Sequence, residues 1–160
     1  MSERTNDGAS VHVTTPESEV AQLADASRSH EPGELGALAC KLYDENPNLT
    51  EEEAYEAFIG WVESRGIELW PHQEEALMSI MVGDHVILGT PTGSGKSLVA
   101  LGMHFIAMCF GERSYYTAPI KALVSEKFFN LVDILGRENV GMITGDVHIN
   151  TSAPVICCTE

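Results

Sequence analysis

The chain has 160 residues, 44% of them hydrophobic, which is enough for one ordinary domain with a packed core. Its 24 acidic and 9 basic residues give a formal net charge of −15 without a basic stripe, which argues against a stand-alone nucleic-acid-binding module. The acidic excess is local, because the net charge is −3 over residues 1–30, −10 over residues 31–75 and −2 over residues 76–160.

The four cysteines predict free thiols. Cys40, Cys109, Cys157 and Cys158 form no CxxC pair, so neither a zinc site nor a disulfide framework is indicated. We therefore expect a reducing, cytoplasmic environment. The first twenty residues lack the apolar core of a secretory signal, and the longest apolar run is too short to span a bilayer, so we expect no membrane contact.

The N-terminal part divides into a tail and a helical hairpin. Residues 1–30 are rich in Ser, Thr, Asp, Glu and Ala with sparse apolar residues, and we interpret them as a disordered acidic tail. Residues 31–66 show helical periodicity in two segments, separated at Pro47. Thr50 and Glu53 have the spacing of a capping box that begins the second helix. Because charge runs on helices are usually solvent faces, we expect an acidic accessory hairpin without catalytic carboxylates.

Residues 67–160 have the pattern of an α/β domain. A helix is predicted over 72–82 after Pro71, and further helices over 96–110 and 121–135. Short apolar runs predict strands at 85–89, 114–118, 140–143 and 154–158. Strands that alternate with helices imply a parallel sheet with helices on both faces and ligands at the carboxyl ends of its strands.

Residues 90–97 have the composition and context of a phosphate-binding loop, because they lie between a predicted strand and a predicted helix. Gly93 and Gly95 allow the backbone N–H groups to approach an anion closely. Lys96 is placed to reach phosphates and Ser97 to ligate Mg²⁺. The loop departs from the general pattern at Thr90, where glycine is usual, and a simple surface turn is the alternative interpretation.

Four further segments accompany this loop in a fixed order: residues 70–76, 116–123, 144–146 and 159–160. Together with residues 91–97, they resemble the first half of the first RecA-like lobe of a superfamily 2 helicase. The resemblance covers about residues 67–160 and is closest to the DExH-box branch that unwinds RNA and works with the exosome. It implies a truncated, ATP-binding RecA-like P-loop NTPase lobe after the hairpin and the tail.

The resemblance also implies roles for individual residues. Gln73 would recognise adenine, and Lys96 would stabilise transition-state charge as the catalytic residue. Phosphates and Mg²⁺ would be held by residues of the loop, with Ser97 as the metal ligand: Thr92, Gly93, Ser94, Gly95, Lys96 and Ser97. Nucleic acid would be contacted by residues that follow the ends of parallel strands: Pro119, Lys121, Thr144, Gly145, Asp146, Thr159 and Glu160.

The implied activity is ATP hydrolysis coupled to unwinding of nucleic acid, with ATP and Mg²⁺ as cofactors. RNA is the expected substrate ahead of DNA, and the RNA-decay machinery is the expected partner. In the family, an acidic motif that holds Mg²⁺ and orients water follows the position of Glu160, so we expect the 160 residues to be inactive alone. The alternatives are a non-catalytic nucleotide-binding or regulatory module, or another P-loop NTPase or kinase. The oligomeric state is not indicated.

Overall fold

The computed structural model describes residues 33–89, Pro91 and residues 95–159. The expected disordered tail, residues 1–30, lies outside the described residues, as do Thr90, Thr92, Gly93, Ser94 and Glu160. In the described part of the chain, no helix is long and apolar enough to cross a membrane.

The N-terminal hairpin consists of α1 (Glu34–Glu45) and α2 (Glu51–Glu63). The predicted capping box is present, since the Glu53 N–H donates to Thr50 Oγ1 at 3.2 Å and the Thr50 N–H donates to Glu53 Oε2 at 2.9 Å. The acidic side chains face solvent, whereas the apolar face is fully buried at Leu35 and Phe58. The hairpin therefore shares one hydrophobic core with the helices that follow.

Two further helices, α3 (Pro71–Met81) and α4 (Lys96–Cys109), pack against this hairpin. The rings of Phe58 and Phe105 lie 5.7 Å apart between α2 and α4. Gly102 permits this approach, because a Cβ atom there would lie 2.4 Å from Leu77 Cδ2 and 2.9 Å from Phe58 Cε1. The packing of α2 and α3 on α4 fixes the start of α4 relative to the start of α3.

The sheet has the strand order β1–β4–β2–β3. Its strands are β1 (Ser114–Ala118), β2 (Val140–Ile143), β3 (His148–Ile149) and β4 (Val155–Thr159). β1, β4 and β2 are parallel, whereas β3 pairs with β2 in the antiparallel sense. A long helix, α5 (Lys121–Leu135), connects β1 to β2. The predicted mixed α/β class with a mostly parallel sheet is confirmed.

One predicted strand is not formed. Residues 84–89 contain neither helix nor strand, and Ile87 is 95% exposed. Val86 and Leu88 still pack against the core, so the alternation of a strand is kept without its ladder. The reason is non-local: a strand requires a hydrogen-bonding partner, and no described strand pairs with this segment.

The described helices cover one face of the sheet. Tyr116 lies beside residues of both α4 and α5, which places these two helices on the same side. Side chains alternate along a strand, so Tyr115 points to the opposite face, where it is 54% exposed. The expectation of helices on both faces is thus met on one face in the described part of the chain. α5, which connects the parallel strands β1 and β2 across β4, lies on the same side of the sheet as α4.

Candidate functional site

The start of α4 has the geometry that an anion site needs. Gly95 is the N-cap residue and adopts a left-handed conformation with φ of 68°, which glycine reaches without a Cβ penalty. Because Gly95 has no side chain, the N-cap offers no side-chain acceptor to the first N–H groups of the helix. Lys96 and Ser97 form the first turn of a helix of 14 residues. Lys96 therefore adds a charged residue at the positive end of the helix.

Gln73 connects α3 to this loop. Its side chain is 1% exposed, and its Oε1 accepts a hydrogen bond from the Trp70 N–H at 2.8 Å. Its Nε2 donates to the carbonyl oxygen of Gly95 at 3.1 Å. The amide thus holds the last residue of the loop against the start of α3. The structure places Gln73 beside the loop, as the resemblance implies, and its recognition of adenine remains a prediction.

Ser97 has a partner that the sequence did not suggest. The Lys127 ammonium, on α5, donates to Ser97 Oγ at 3.1 Å. Burial lowers the pKa of the Lys127 ammonium from its ordinary value. A sequence signal existed, because Lys127 lies three residues after buried Val124 and four before buried Leu131, on the apolar face of α5.

A narrow cavity begins at Ser97 and Lys127 and extends between α4 and α5. Its walls are mostly apolar, with Tyr116 contributed by β1. His104 lines it and is 1% exposed, with Nδ1 at 2.8 Å from Ser114 Oγ. Burial lowers the pKa of His104 to about 4, so this imidazole is neutral at physiological pH.

The described residues among those expected to contact nucleic acid lie at one edge of the sheet. β1, β4 and β2 run parallel, with Ala118 opposite Thr159 and Ile143 opposite Cys158 in the register. Pro119, at the end of β1, is exposed, and Thr159 ends β4 between the other two strands. The carboxyl ends of three strands therefore bring these predicted residues together.

An ion pair joins two of the predicted segments across this edge. Lys121 Nζ lies 2.5 Å from Asp146 Oδ2, and both side chains are largely exposed. Thr144 is 4% exposed, and its Oγ1 donates to Asp146 Oδ1 at 3.0 Å while accepting from the Val147 N–H at 3.2 Å. The hydrogen bonds from Lys121 and Thr144 lower the pKa of the Asp146 carboxyl. Thr144 and Asp146 thus shape the turn and hold Lys121.

Among the described residues, no group of three His, Cys, Asp or Glu side chains could hold a metal ion. Mg²⁺ does not need such a group, since it commonly binds through one or two protein oxygens together with phosphates and water. Ser97 offers one such oxygen, which accepts a hydrogen bond from the Lys127 ammonium. The described residues therefore fit a Mg²⁺ ion that is bound together with a nucleotide.

Comparison with known proteins extends these observations. A family model described as DEAD/DEAH box helicase matches residues 70–154. The chain is 36% identical over 87 residues to the "Probable helicase HelY" of Mycobacterium tuberculosis, which covers 54% of this chain and 10% of that protein. It is 38% identical over 94 residues to the "Antiviral helicase SKI2" of Saccharomyces cerevisiae, covering 58% of this chain and 7% of that protein.

The chain is also similar to a plant protein. The chain is 37% identical over 87 residues to the "DExH-box ATP-dependent RNA helicase DExH15 chloroplastic" of Arabidopsis thaliana, covering 54% of this chain and 7% of that protein. The matched region thus spans a tenth or less of the length of these three relatives. Residues 70–154, which the family model matches, include Gln73, Lys96, Lys121 and Asp146, the residues that the structure places at the loop and at the sheet edge.

Proposed function

The chain belongs to the DEAD/DEAH box helicase family, and on this premise we propose that it supplies the ATP-binding part of an ATP-dependent helicase that acts on RNA. The observation that carries the proposal is the start of α4, where left-handed Gly95, Lys96 and Ser97 follow one another at a helix N-terminus. Gln73, from the helix that precedes the loop, is hydrogen-bonded to the same Gly95. This arrangement suits a nucleoside triphosphate bound with Mg²⁺.

Each residue of this site has a distinct part in the proposal. Gly95 keeps the backbone clear of side-chain bulk, so that the N–H groups of the first turn of α4 donate to phosphate oxygens. Lys96 contributes a full positive charge for the β and γ phosphates and for the charge that develops on them in the transition state. Ser97 supplies the hydroxyl ligand, and Mg²⁺, when bound, neutralises phosphate charge. Thr92, Gly93 and Ser94 are proposed to complete the cradle.

The edge formed by β1, β4 and β2 is the proposed track for the nucleic-acid backbone. Lys121 supplies the positive charge there, and turn N–H groups near Pro119 and Gly145 supply neutral donors. Thr159 and Glu160 complete the proposed edge. Asp146 repels phosphate as a carboxylate, so its proposed role is to hold Lys121 in position. Such contacts involve the sugar-phosphate backbone and not the bases, which suits an enzyme without sequence preference.

The preference for RNA rests on relatives, since one similar protein is named an RNA helicase. A partnership with the RNA-decay machinery is proposed from the resemblance to the exosome-associated branch. A cytoplasmic location is proposed from the free thiols of Cys40, Cys109, Cys157 and Cys158, which suit a reducing compartment.

Nucleotide binding is the direct test. We expect the chain to bind a fluorescent ATP analogue in the presence of Mg²⁺, and Lys96→Ala to weaken this binding about tenfold or more, since a charge-assisted hydrogen bond is lost. Lys41→Ala is the matched control, because Lys41 is an exposed lysine on α1 whose partner is Glu45. Equal affinities for the wild type and Lys96→Ala would contradict the proposed site.

A further inference from the structure

The Ser97 hydroxyl can bind only a few hydrogen-bonding or metal partners at the same time. A serine hydroxyl carries one donor proton and two acceptor lone pairs, whereas a lysine ammonium only donates. The contact of 3.1 Å between Lys127 Nζ and Ser97 Oγ therefore occupies a lone pair of the oxygen that the proposed function assigns to Mg²⁺. Both residues lie on the wall of the same cavity, and the contact joins α4 to α5.

Lys127 makes no direct contact with a carboxylate in the described part of the chain, although the charge of its neighbour Glu126 favours the ammonium form. Among the described residues, it takes part in no ion pair, and its side chain is half-buried between the helices and the sheet. Cys157, on β4, is a close neighbour, and burial raises the pKa of that thiol to about 12, so it is uncharged. The only polar contact of Lys127 in the described part of the chain is the Ser97 hydroxyl.

From this geometry we propose that Lys127 is a positioning residue that competes with Mg²⁺ for Ser97. The ammonium holds the hydroxyl while Mg²⁺ is absent and leaves it when Mg²⁺ and nucleotide bind. This inference rests on the proposed function. An Mg²⁺ ion sits about 2.1 Å from its oxygen ligands, so both cations on one hydroxyl would be separated by at most about 5 Å. Their repulsion makes simultaneous occupancy unfavourable.

The test is a Mg²⁺ titration of nucleotide binding by the whole 160-residue chain, with a fluorescent ATP analogue at a fixed concentration. Lys127→Met removes the competing charge and keeps much of the buried chain length. We expect the Mg²⁺ concentration at half-maximal binding to fall about tenfold, the size expected for two cations about 5 Å apart when they are screened as strongly as in bulk water. Lys127→Arg should retain the wild-type midpoint, because it retains the charge.

Lys41→Met is the matched control, since it removes the same charge from an exposed position on α1. An unchanged midpoint in Lys127→Met would overturn the inference. So would weaker binding at every Mg²⁺ concentration with the same midpoint, which would show a structural role alone. A wild-type chain that binds no nucleotide at any Mg²⁺ concentration would overturn the proposed function, and this inference with it.

A measurement on the unaltered chain covers the case in which Lys127→Met does not fold. At saturating nucleotide, the amine of Lys127 is labelled with an acylating reagent, with and without Mg²⁺, and the labelled peptide is quantified by mass spectrometry. We expect Mg²⁺ to increase the labelling severalfold, because the ammonium leaves Ser97. Equal labelling under both conditions would overturn the proposal.

Discussion

At the scale of single residues, the buried polar side chains are the informative ones. Gln73 and His104 are each 1% exposed, and each has a hydrogen-bonding partner on another segment of the chain. Gln73 could be identified from its position before the loop, whereas the contact with Gly95 depends on how α3 packs on α4. Lys127 was missed, because a lysine within an apolar helix face is usually explained by its aliphatic stem.

The burial of His104 predicts that the stability of the fold decreases at acidic pH. Its folded-state pKa of about 4 lies below its ordinary value of 6.5, so the unfolded chain binds more protons between these pH values. Its contribution to stability is complete above about pH 6.5 and is lost as the pH falls towards 4, amounting to about 3 kcal/mol at most.

Substitution of His104 isolates this contribution from the many carboxylates of the chain. We expect His104→Gln to flatten the fall in unfolding free energy between pH 6.5 and 4, measured by urea denaturation at several pH values. His85→Gln, at an exposed position, should leave the wild-type pH dependence in place. Parallel pH profiles for the wild type and His104→Gln would contradict the assignment.

At the scale of elements, local signals predicted the helices well. The start of α2 follows from the Thr50 capping box, and α3 begins at Pro71, which suits a first helical turn. Residues 85–89 show the limit of local signals. Their hydrophobic alternation indicates a strand, but a strand forms only where a neighbouring strand supplies hydrogen bonds. The two-residue strand β3 was not predicted, since His148–Ile149 is too short for any periodicity to appear.

The contact between α1 and α5 is a second test at this scale. A Cβ atom at Gly36 would lie 1.7 Å from the carbonyl oxygen of Leu135, a backbone atom that cannot rotate away. We expect Gly36→Ala to lower the free energy of unfolding by about 2 kcal/mol or more, measured by urea denaturation. Gly60→Ala is the control on α2, where nothing lies within 4 Å, and it should stabilise the chain by about 0.5–1 kcal/mol. A neutral Gly36→Ala would mean that α1 does not dock as described.

At the scale of the whole molecule, the net charge of −15 opposes an approach to RNA. The excess is concentrated before residue 76, whereas Lys121 lies at the proposed edge in the nearly neutral part. The family could be identified from the order of short segments along the chain, but their convergence on one sheet edge is a property of the parallel strand order.

The salt dependence of RNA binding tests whether Lys121 contacts the phosphate backbone. Each phosphate neutralised on a single strand contributes about −0.7 to the slope of log affinity against log salt concentration. We expect Lys121→Ala to make this slope shallower by about 0.7, measured by fluorescence anisotropy with a labelled oligouridylate. Lys41→Ala should not change the slope. An unchanged slope in Lys121→Ala would remove Lys121 from the proposed contacts.

The position of β4 has a consequence for the synthesis of this protein on the ribosome. β4 is the last of the described elements along the chain, yet it lies between β1 and β2 and supplies both parallel pairings. Among the described strands, β1 has no parallel partner until residues 155–159 emerge from the exit tunnel, and β2 can pair only with its neighbour β3. The helices, whose hydrogen bonds are local, can form earlier. In the nascent chain, the helical layer can therefore form first. The sheet is completed in a later step, when β4 becomes available to β1 and β2.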